Sequence, residues 1–389
     1  MFIPAGGNVR EVANRLELLP EYLFAELDAA KASYGEGVID FGVGNPDRPT
    51  HPEIINALVR AVADHNTHRY PDYQGTLTLR RDICSWYKTR FGVEIDPETE
   101  VCVLIGSKEG ISHLIWGLVN PDEEVIYPDP SYPVYRNQTL LAGGSSTPAP
   151  LLEENQYLMQ IQRLRATQKT KLLILNYPSN PTGAVSTPIH FSEAVQFARS
   201  HNLWLVNDNC YSEIYFDDPP PSVLSVPGAK DCAVEFGSFS KTFNMAGWRL
   251  GFAVGNPRMI DALKRIKTNT DSGPFTAIQR AAQTAIELTE GIAPGIRKLY
   301  KARRGTLLSG LNRLGWIMPP PKATFYVWAR IPKKGQTSLG FAKRMLADTG
   351  VLVTPGIGFG EAGEGYVRFS LTLERAQIEE AVDRLAKWL

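Results

Sequence analysis

Short apolar runs recur along the first two thirds of the chain: Val101–Ile105, Glu124–Tyr127, Lys171–Asn176, Leu203–Asp208 and Ala233–Phe236. Each is too short for a stable helix, and each is separated from the next by enough residues for a crossover helix. Parallel strands require connections of that length, whereas antiparallel neighbours can be joined by a tight turn. The spacing therefore predicts an α/β chain built on a mostly parallel sheet. In such sheets ligands sit in the crevice beyond the carboxyl ends of the strands. The chemically equipped residues of this sequence fall at those ends.

The flanking segments predict a second lobe. A chain of 389 residues exceeds the size at which a single core keeps growing. After Pro257 longer amphipathic helices are expected at Arg258–Asn269, Ala277–Glu287 and Gly295–Leu314. Short strands at Thr324–Ala329, Val351–Thr354 and Tyr366–Leu371 then mix with helices at Leu339–Thr349 and Glu374–Trp388, an α+β pattern. Upstream, Val12–Tyr34 reads as an arm leading into a helix, interrupted by Pro20. Val38–Pro49 reads as a strand running into a turn, where Gly42 and Gly44 either admit a ligand to the backbone or simply build the turn. Pro52 suits the first position of a helix. Another helix is expected at Leu77–Phe91, and Gly106-Ser-Lys-Glu-Gly is a turn before a helix at Ile111–Val119.

Composition narrows the partners. Lysine plus arginine and aspartate plus glutamate both number 41, which leaves no net field to gather nucleic acid or an anionic membrane surface. The four cysteines are scattered, without a Cys-x-x-Cys pair, as expected of buried thiols in a reducing compartment. The six histidines include one close pair, His65 and His68, and no metal-motif spacing. No apolar stretch approaches the roughly 18 residues of a membrane span, and Met1–Glu11 lacks the pattern of a secretion signal. A small-molecule enzyme of the cytoplasm, without a metal, is the expectation.

Glu235–Phe252 concentrates the most suggestive chemistry. Lys241 stands among Ser238, Ser240 and small residues, with Arg249 following. An amine able to act as a nucleophile beside anion-binding groups would suit a phosphorylated carbonyl cofactor held as an imine. Most loop lysines are simply solvated, so the segment gains meaning only with its companions. Those are Gly-Ser-Lys-Glu-Gly from Gly106, Pro-Ser-Tyr-Pro from Pro130, Asn-Tyr-Pro-Ser-Asn-Pro-Thr-Gly from Asn176 and Asn-Asp-Asn-Cys-Tyr from Asn207. Ser-Phe-Ser-Lys from Ser238, Gly-Trp-Arg-Leu-Gly from Gly247 and Tyr-Val-Arg-Phe-Ser from Tyr366 complete the ordered set.

Together they resemble the class I/II aminotransferases, pyridoxal-phosphate enzymes of the aspartate aminotransferase fold. The resemblance implies fold type I: a large domain with a mostly parallel sheet and helices on both faces, plus a smaller α+β domain. Residues 48–285 would form the large cofactor-binding domain, 286–389 the small one, and 1–47 an arm and part of the small domain. By the same resemblance Lys241 anchors the cofactor as a Schiff base and carries the proton between the substrate α-carbon and cofactor C4′. Asp208 faces the pyridine nitrogen, Asn180 and Tyr211 the ring oxygen, and Tyr132 the ring face. Ser107, the Lys108 backbone amide, Ser238, Ser240 and Arg249 take the phosphate, joined by Tyr70 from a neighbouring subunit, which implies a homodimer with shared sites. Arg368 clamps the substrate α-carboxylate as a planar fork, assisted by Gly44 and Asn180, and Tyr22 reaches toward the distal end of a long substrate.

The implied reaction exchanges an amino group between an amino acid and a 2-oxo acid. Leu19–Phe24, Ile105–Ile111, Lys267–Gly273, Pro321–Trp328 and Gly363–Tyr366 are most similar to bacterial LL-diaminopimelate aminotransferases, which use 2-oxoglutarate. Asn244-Met-Ala-Gly-Trp-Arg and Gly356-Ile-Gly-Phe-Gly are shared with the glutamate–pyruvate group. A carbon–sulfur lyase would keep the same cofactor residues. An aminotransferase-like sensor of transcription regulators would carry a basic helix-turn-helix domain ahead of the fold, and only a short lead precedes the first arm here.

Overall fold

The computed structural model describes residues 12–19, 23–332 and 335–388. In chain order its elements are α1 (Leu23–Tyr34), β1 (Ile39–Asp40), α2 (Pro52–Val62), α3 (Leu77–Phe91), β2 (Val101–Leu104), α4 (Ser107–Leu118), β3 (Glu124–Asp129), α5 (Val134–Leu141), β4 (Ser145–Pro150) and β5 (Thr170–Leu175). Next come α6 (Pro188–Ser200), β6 (Trp204–Asp208), β7 (Ala233–Ser238), α7 (Phe239–Thr242), β8 (Gly251–Gly255), α8 (Pro257–Thr270) and α9 (Thr276–Glu287). The chain closes with α10 (Thr289–Arg313), β9 (Tyr326–Arg330), α11 (Ser338–Thr349), β10 (Val351–Leu352), β11 (Thr354–Pro355), β12 (Tyr366–Ser370) and α12 (Arg375–Leu385).

Local chemistry sets several of these boundaries. His51, Thr187 and Asn256 each accept a backbone N–H from the first turn of α2, α6 and α8, and a proline follows each of them. The cap satisfies an otherwise orphan donor, and proline at that position forfeits no hydrogen bond. Gly92 and Gly350 end α3 and α11 in the left-handed conformation that only glycine adopts freely.

The large sheet has the order β2-β8-β7-β6-β5-β3-β4. Its pairs are parallel except those of β8, which runs against both β2 and β7. The mostly parallel sheet expected from the spacing is thus present. Successive residues of its strands feed two separate cores: Leu173 and Leu175 point into one, Leu172 and Ile174 into the other. The first core is completed by α3, α6 and α9, through Ile83, Phe191 and Ala281, and the second by α4 and α8, through Leu114 and Leu263. Helices therefore cover both faces.

A smaller antiparallel sheet, β11-β12-β9, and the parallel pair β1-β10 share a third core. Phe41, Tyr300, Phe325, Phe341 and Phe369 are buried there, so residues from near the start of the chain pack with those from its last quarter. Arg303 of α10 ties this region to Asp47 through two hydrogen bonds of 2.7 Å each.

Some boundaries differ from expectation. Helix α4 begins at Ser107 rather than Ile111, because Gly106 supplies the positive φ of +81° needed to turn directly out of β2. Helix α10 begins at Thr289 rather than Gly295 and runs through Pro294 in its second turn, where the missing N–H costs one intrahelical hydrogen bond. Strand β4 escaped notice because Ser-Ser-Thr-Pro-Ala-Pro is polar, and only an edge strand tolerates such prolines. Tyr22 lies outside the described residues.

Candidate active site

The candidate groups meet along one rim of the large sheet. Asn176 and Asn180 follow β5, Asp208 ends β6, Ser238 ends β7 and Lys241 follows it, Ser107 follows β2 and Tyr132 follows β3. Because β8 runs the opposite way, Arg249, just before it, reaches the same rim from the other chain direction.

Asp208 is buried. The Tyr135 hydroxyl donates to its Oδ2 at 2.7 Å, and Asn176 Nδ2 donates to its carbonyl at 2.8 Å. Its Oδ1 is buried without a hydrogen-bond partner. Burial raises the carboxyl pKa, opposed by the neighbouring Cys210, by the Tyr135 hydroxyl and by the Lys241 charge. A buried acceptor left open is expensive unless a donor faces it. A ligand N–H, above all a charged one, fits that need.

Lys241 sits on the single turn of α7, capped by Ser238, whose Oγ accepts from the Ser240 N–H at 3.1 Å. Its Nζ donates to the Gly44 carbonyl at 3.0 Å and lies 5.5 Å from the Phe325 ring centroid. The amine thus rests on a single acceptor in a partly aromatic setting.

The β2–α4 turn and Arg249 form an anion cradle. Gly106 offers no side-chain cap to α4, which leaves the backbone donors of that helix end for a ligand. A Cβ on Gly106 would lie 2.4 Å from Arg249 Nη2, and one on Gly251 would lie 2.7 Å from the Ser107 nitrogen. Only glycines allow this approach. Arg249 adopts a left-handed backbone with φ of +54° and donates from Nη1 to the Ala246 carbonyl at 2.8 Å. The Cys210 thiol donates to Ser107 Oγ at 3.0 Å, and Lys108 Nζ stands 6.0 Å from the Tyr132 ring.

Opposite lies Arg368 on β12, buried between the rings of Tyr326 and Phe359, 4.1 and 4.6 Å from its guanidinium carbon. Nη1 donates to Asn180 Oδ1 at 2.9 Å, and Nη2 donates to the Gly42 carbonyl at 3.0 Å. Nε has no partner, and no carboxylate of the described residues pairs with the group. Burial lowers its pKa, though a guanidinium stays charged at neutral pH. A buried cation without an anion is a strong reason for a carboxylate ligand. Tyr211 and Tyr326 join hydroxyls at 3.1 Å, and burial lifts the Tyr211 pKa well above the ordinary value, so the phenol keeps its proton.

The structure brings together Lys241, Asp208, Tyr211, Asn180, Arg368 and Gly44, and beside them Ser107, Lys108, Tyr132, Ser238, Ser240 and Arg249. Tyr70 stands apart, 90% exposed. Sequence reasoning missed Tyr135, Asn176, Cys210, Tyr326 and Phe359. Asn176, Cys210, Tyr326 and Phe359 lie inside stretches already singled out, so proximity to those motifs was the one available signal. Tyr135 carries none. The residues fit pyridoxal phosphate: the cradle suits the phosphate, the open Asp208 oxygen a protonated ring nitrogen, and the phenol and amide the ring oxygen.

Comparison with known proteins extends beyond these groups. Residues 36–385 match the family Aminotransferase class I and II. The LL-diaminopimelate aminotransferase of Halothermothrix orenii is 46% identical over 381 residues, spanning 96% of this chain and 98% of that protein. The enzyme of that name from Aquifex aeolicus is 45% identical over 381 residues, with the same two coverages of 96% and 98%. Among solved structures, substrate-bound BacF from Bacillus subtilis has a TM-score of 0.94 at 37% identity, covering 98% of both chains. A mutant aspartate aminotransferase from Thermus thermophilus has a TM-score of 0.93 at 27% identity, covering 98% of this chain and 100% of that one. Likeness of this extent covers nearly the whole chain, and the chain belongs to the class I and II aminotransferases, enzymes that depend on pyridoxal phosphate.

Proposed function

We propose that the enzyme passes an amino group from LL-diaminopimelate to 2-oxoglutarate by a ping-pong exchange, as a cytoplasmic homodimer whose sites are completed by Tyr70 of the neighbouring copy. Residues 48–285 serve as the cofactor-binding domain, and 1–47 with 286–389 as the smaller one. The observation that carries the reading is Arg368, a buried cation without an anion among the described residues, in the crevice that Lys241 also enters. Every amino donor and oxo-acid acceptor offers it the same α-carboxylate. The choice of diaminopimelate rests on relatives that match across 96% of the chain.

Ser107, the Lys108 amide, Ser238, Ser240 and Arg249 would hold the cofactor phosphate, Asp208 its ring nitrogen, Asn180 and Tyr211 its ring oxygen, and Tyr132 its face. Pyridoxal phosphate, when bound, supplies the carbonyl that exchanges amines and the electron sink that makes the substrate α-proton removable. Lys241 would hold the cofactor covalently, and as a free amine its Nζ would be placed to take the substrate α-proton and return it at cofactor C4′, beyond the intervening nitrogen, as a general base and then acid. Asp208, kept anionic by an opposing positive charge, holds a proton on the ring nitrogen. Arg368 fixes the carboxylate, so the bond to be broken faces Lys241.

Steady-state assays with a panel of donors and acceptors test the proposal. Glutamate formed from 2-oxoglutarate at a far higher kcat/KM with LL-diaminopimelate than with alanine supports it. Preference for alanine and 2-oxoglutarate would assign the glutamate–pyruvate reaction instead, and pyruvate plus ammonia from a sulfur amino acid would assign a lyase.

A further inference from the structure

Helix α4 carries an acidic residue, Glu109, in the first turn, where the helix should receive a phosphate. A carboxylate there opposes a second anion. Glu109 is nevertheless built in. Its Oε2 accepts the Ile105 N–H at 3.2 Å, which pins the turn containing Gly106 and Ser107. Its Oε1 accepts from Lys267 Nζ of α8 at 2.8 Å. Lys267 is fully buried and donates also to Asp271 Oδ1 and Oδ2 at 3.0 and 3.2 Å.

Burial alone would lower the Lys267 pKa, but Glu109 and Asp271 outweigh it and hold it raised. The ammonium is therefore charged. His113 Nδ1 lies 2.8 Å from Glu109 Oε1 and 3.6 Å from Asp271 Oδ2. The ligand atoms of Glu109, His113 and Asp271 fall within 4.8 Å of one another, as a metal ion would need. Lys267 already supplies the cation that such an ion would bring.

We propose that Lys267 is a positioning residue for the cofactor phosphate: its ammonium, shared with Asp271, offsets the Glu109 charge and holds Glu109 against the Ile105 N–H, so that the Gly106–Ser107 turn keeps its shape and presents a cradle with less opposing charge. The inference rests on the reading that this turn takes the phosphate. Lys267→Met would leave an unpaired carboxylate in the first turn and release its grip on Ile105. Adding Glu109→Gln removes that charge while keeping an acceptor for the Ile105 N–H.

Equilibrium dissociation constants of the cofactor-stripped protein for pyridoxal phosphate and for pyridoxal, followed by absorbance, separate phosphate recognition from the rest of the site. Lys267→Met should weaken pyridoxal phosphate binding about tenfold or more, the worth of one charge-assisted hydrogen bond, and leave pyridoxal binding unchanged. The double variant should recover most of that loss. Equal weakening for both ligands, no weakening, or no recovery in the double variant would overturn the proposal. Should Lys267→Met fail to fold, Lys267→Gln, which keeps donors to the carboxylates without the charge, gives the same comparison. Ser107→Ala serves as the control: if it too spares pyridoxal phosphate binding, the cradle reading itself has failed, rather than the role of Lys267 alone.

Discussion

Replacing Arg368 with lysine isolates the planar fork from the charge. The guanidinium donates to Asn180 and to the Gly42 carbonyl, keeps Nε unpartnered, and is held flat between two aromatic rings. It can meet both carboxylate oxygens without giving up those supports, whereas a lysine ammonium is a point donor on a flexible stem. Loss of one charge-assisted hydrogen bond is worth about 1.5 to 3 kcal/mol, or roughly tenfold to a hundredfold in kcat/KM. The same carboxylate position serves donor and acceptor, so Arg368→Lys should lower kcat/KM for LL-diaminopimelate and for 2-oxoglutarate by similar factors. Steady-state kinetics with each substrate varied in turn measure both. An unchanged value for either substrate, or a loss confined to the donor, refutes the clamp. Arg368→Met should abolish turnover yet not lower the thermal midpoint of the cofactor-free protein, since it removes a buried charge that has no anion.

Lys241→Ala should reduce turnover by more than about ten-thousandfold, beyond what general acid–base assistance alone supplies, while still binding the cofactor without a covalent bond; absorbance and activity assays check both. Gly44→Ala would place a methyl 2.2 Å from the Tyr326 hydroxyl oxygen, an overpacking worth about 1 to 3 kcal/mol. Activity should fall accordingly, and Tyr326→Phe, by removing that oxygen, should restore part of it. Asp129, at the end of β3, has its pKa pushed up to about 6 from 3.8 by burial, partly offset by backbone N–H groups of Ala362 and Glu361. A carboxyl raised on folding favours the native state below its unfolded pKa, and that advantage is lost as pH rises through about 6. Asp129→Asn should flatten stability between pH 4 and 6 and raise it at pH 7 by at most about 3 kcal/mol; denaturant midpoints from pH 4 to 7 decide.

Periodicity and run length were enough to anticipate these strands, because Val101–Leu104 and the Leu172–Leu175 part of β5 are apolar throughout, the first preceded by Glu100 and the second bounded by Lys171 and Asn176. Strand β8 was hidden by its own composition: Gly251-Phe-Ala-Val-Gly reads as the end of a glycine-rich segment until Phe252 and Val254 are seen to share a core with Val101 and Val103. In the site, residues were legible where their side chains define a chemistry, as with Lys241 and Arg368. They were illegible where the role is to hold another side chain. Tyr135 is indistinguishable from a packing tyrosine until Asp208 is found beside it, and Tyr326 until its hydroxyl meets that of Tyr211. Such partnerships depend on tertiary approach, which one sequence does not encode locally.

The reversed strand β8 brings Lys241 and Arg249 onto one rim through a short local excursion, whereas the rest of the site is assembled from afar. Tyr135 and Asp208 are 73 residues apart, Ser107 and Cys210 103, Asn180 and Arg368 188, and Gly44 and Lys241 197. Loops of that size close late, after local structure has formed. The cofactor therefore has no partial template to seize during folding. It recognises the finished tertiary arrangement and stabilises it by mass action, so cofactor occupancy after refolding is a test of global nativeness rather than of helix and strand content.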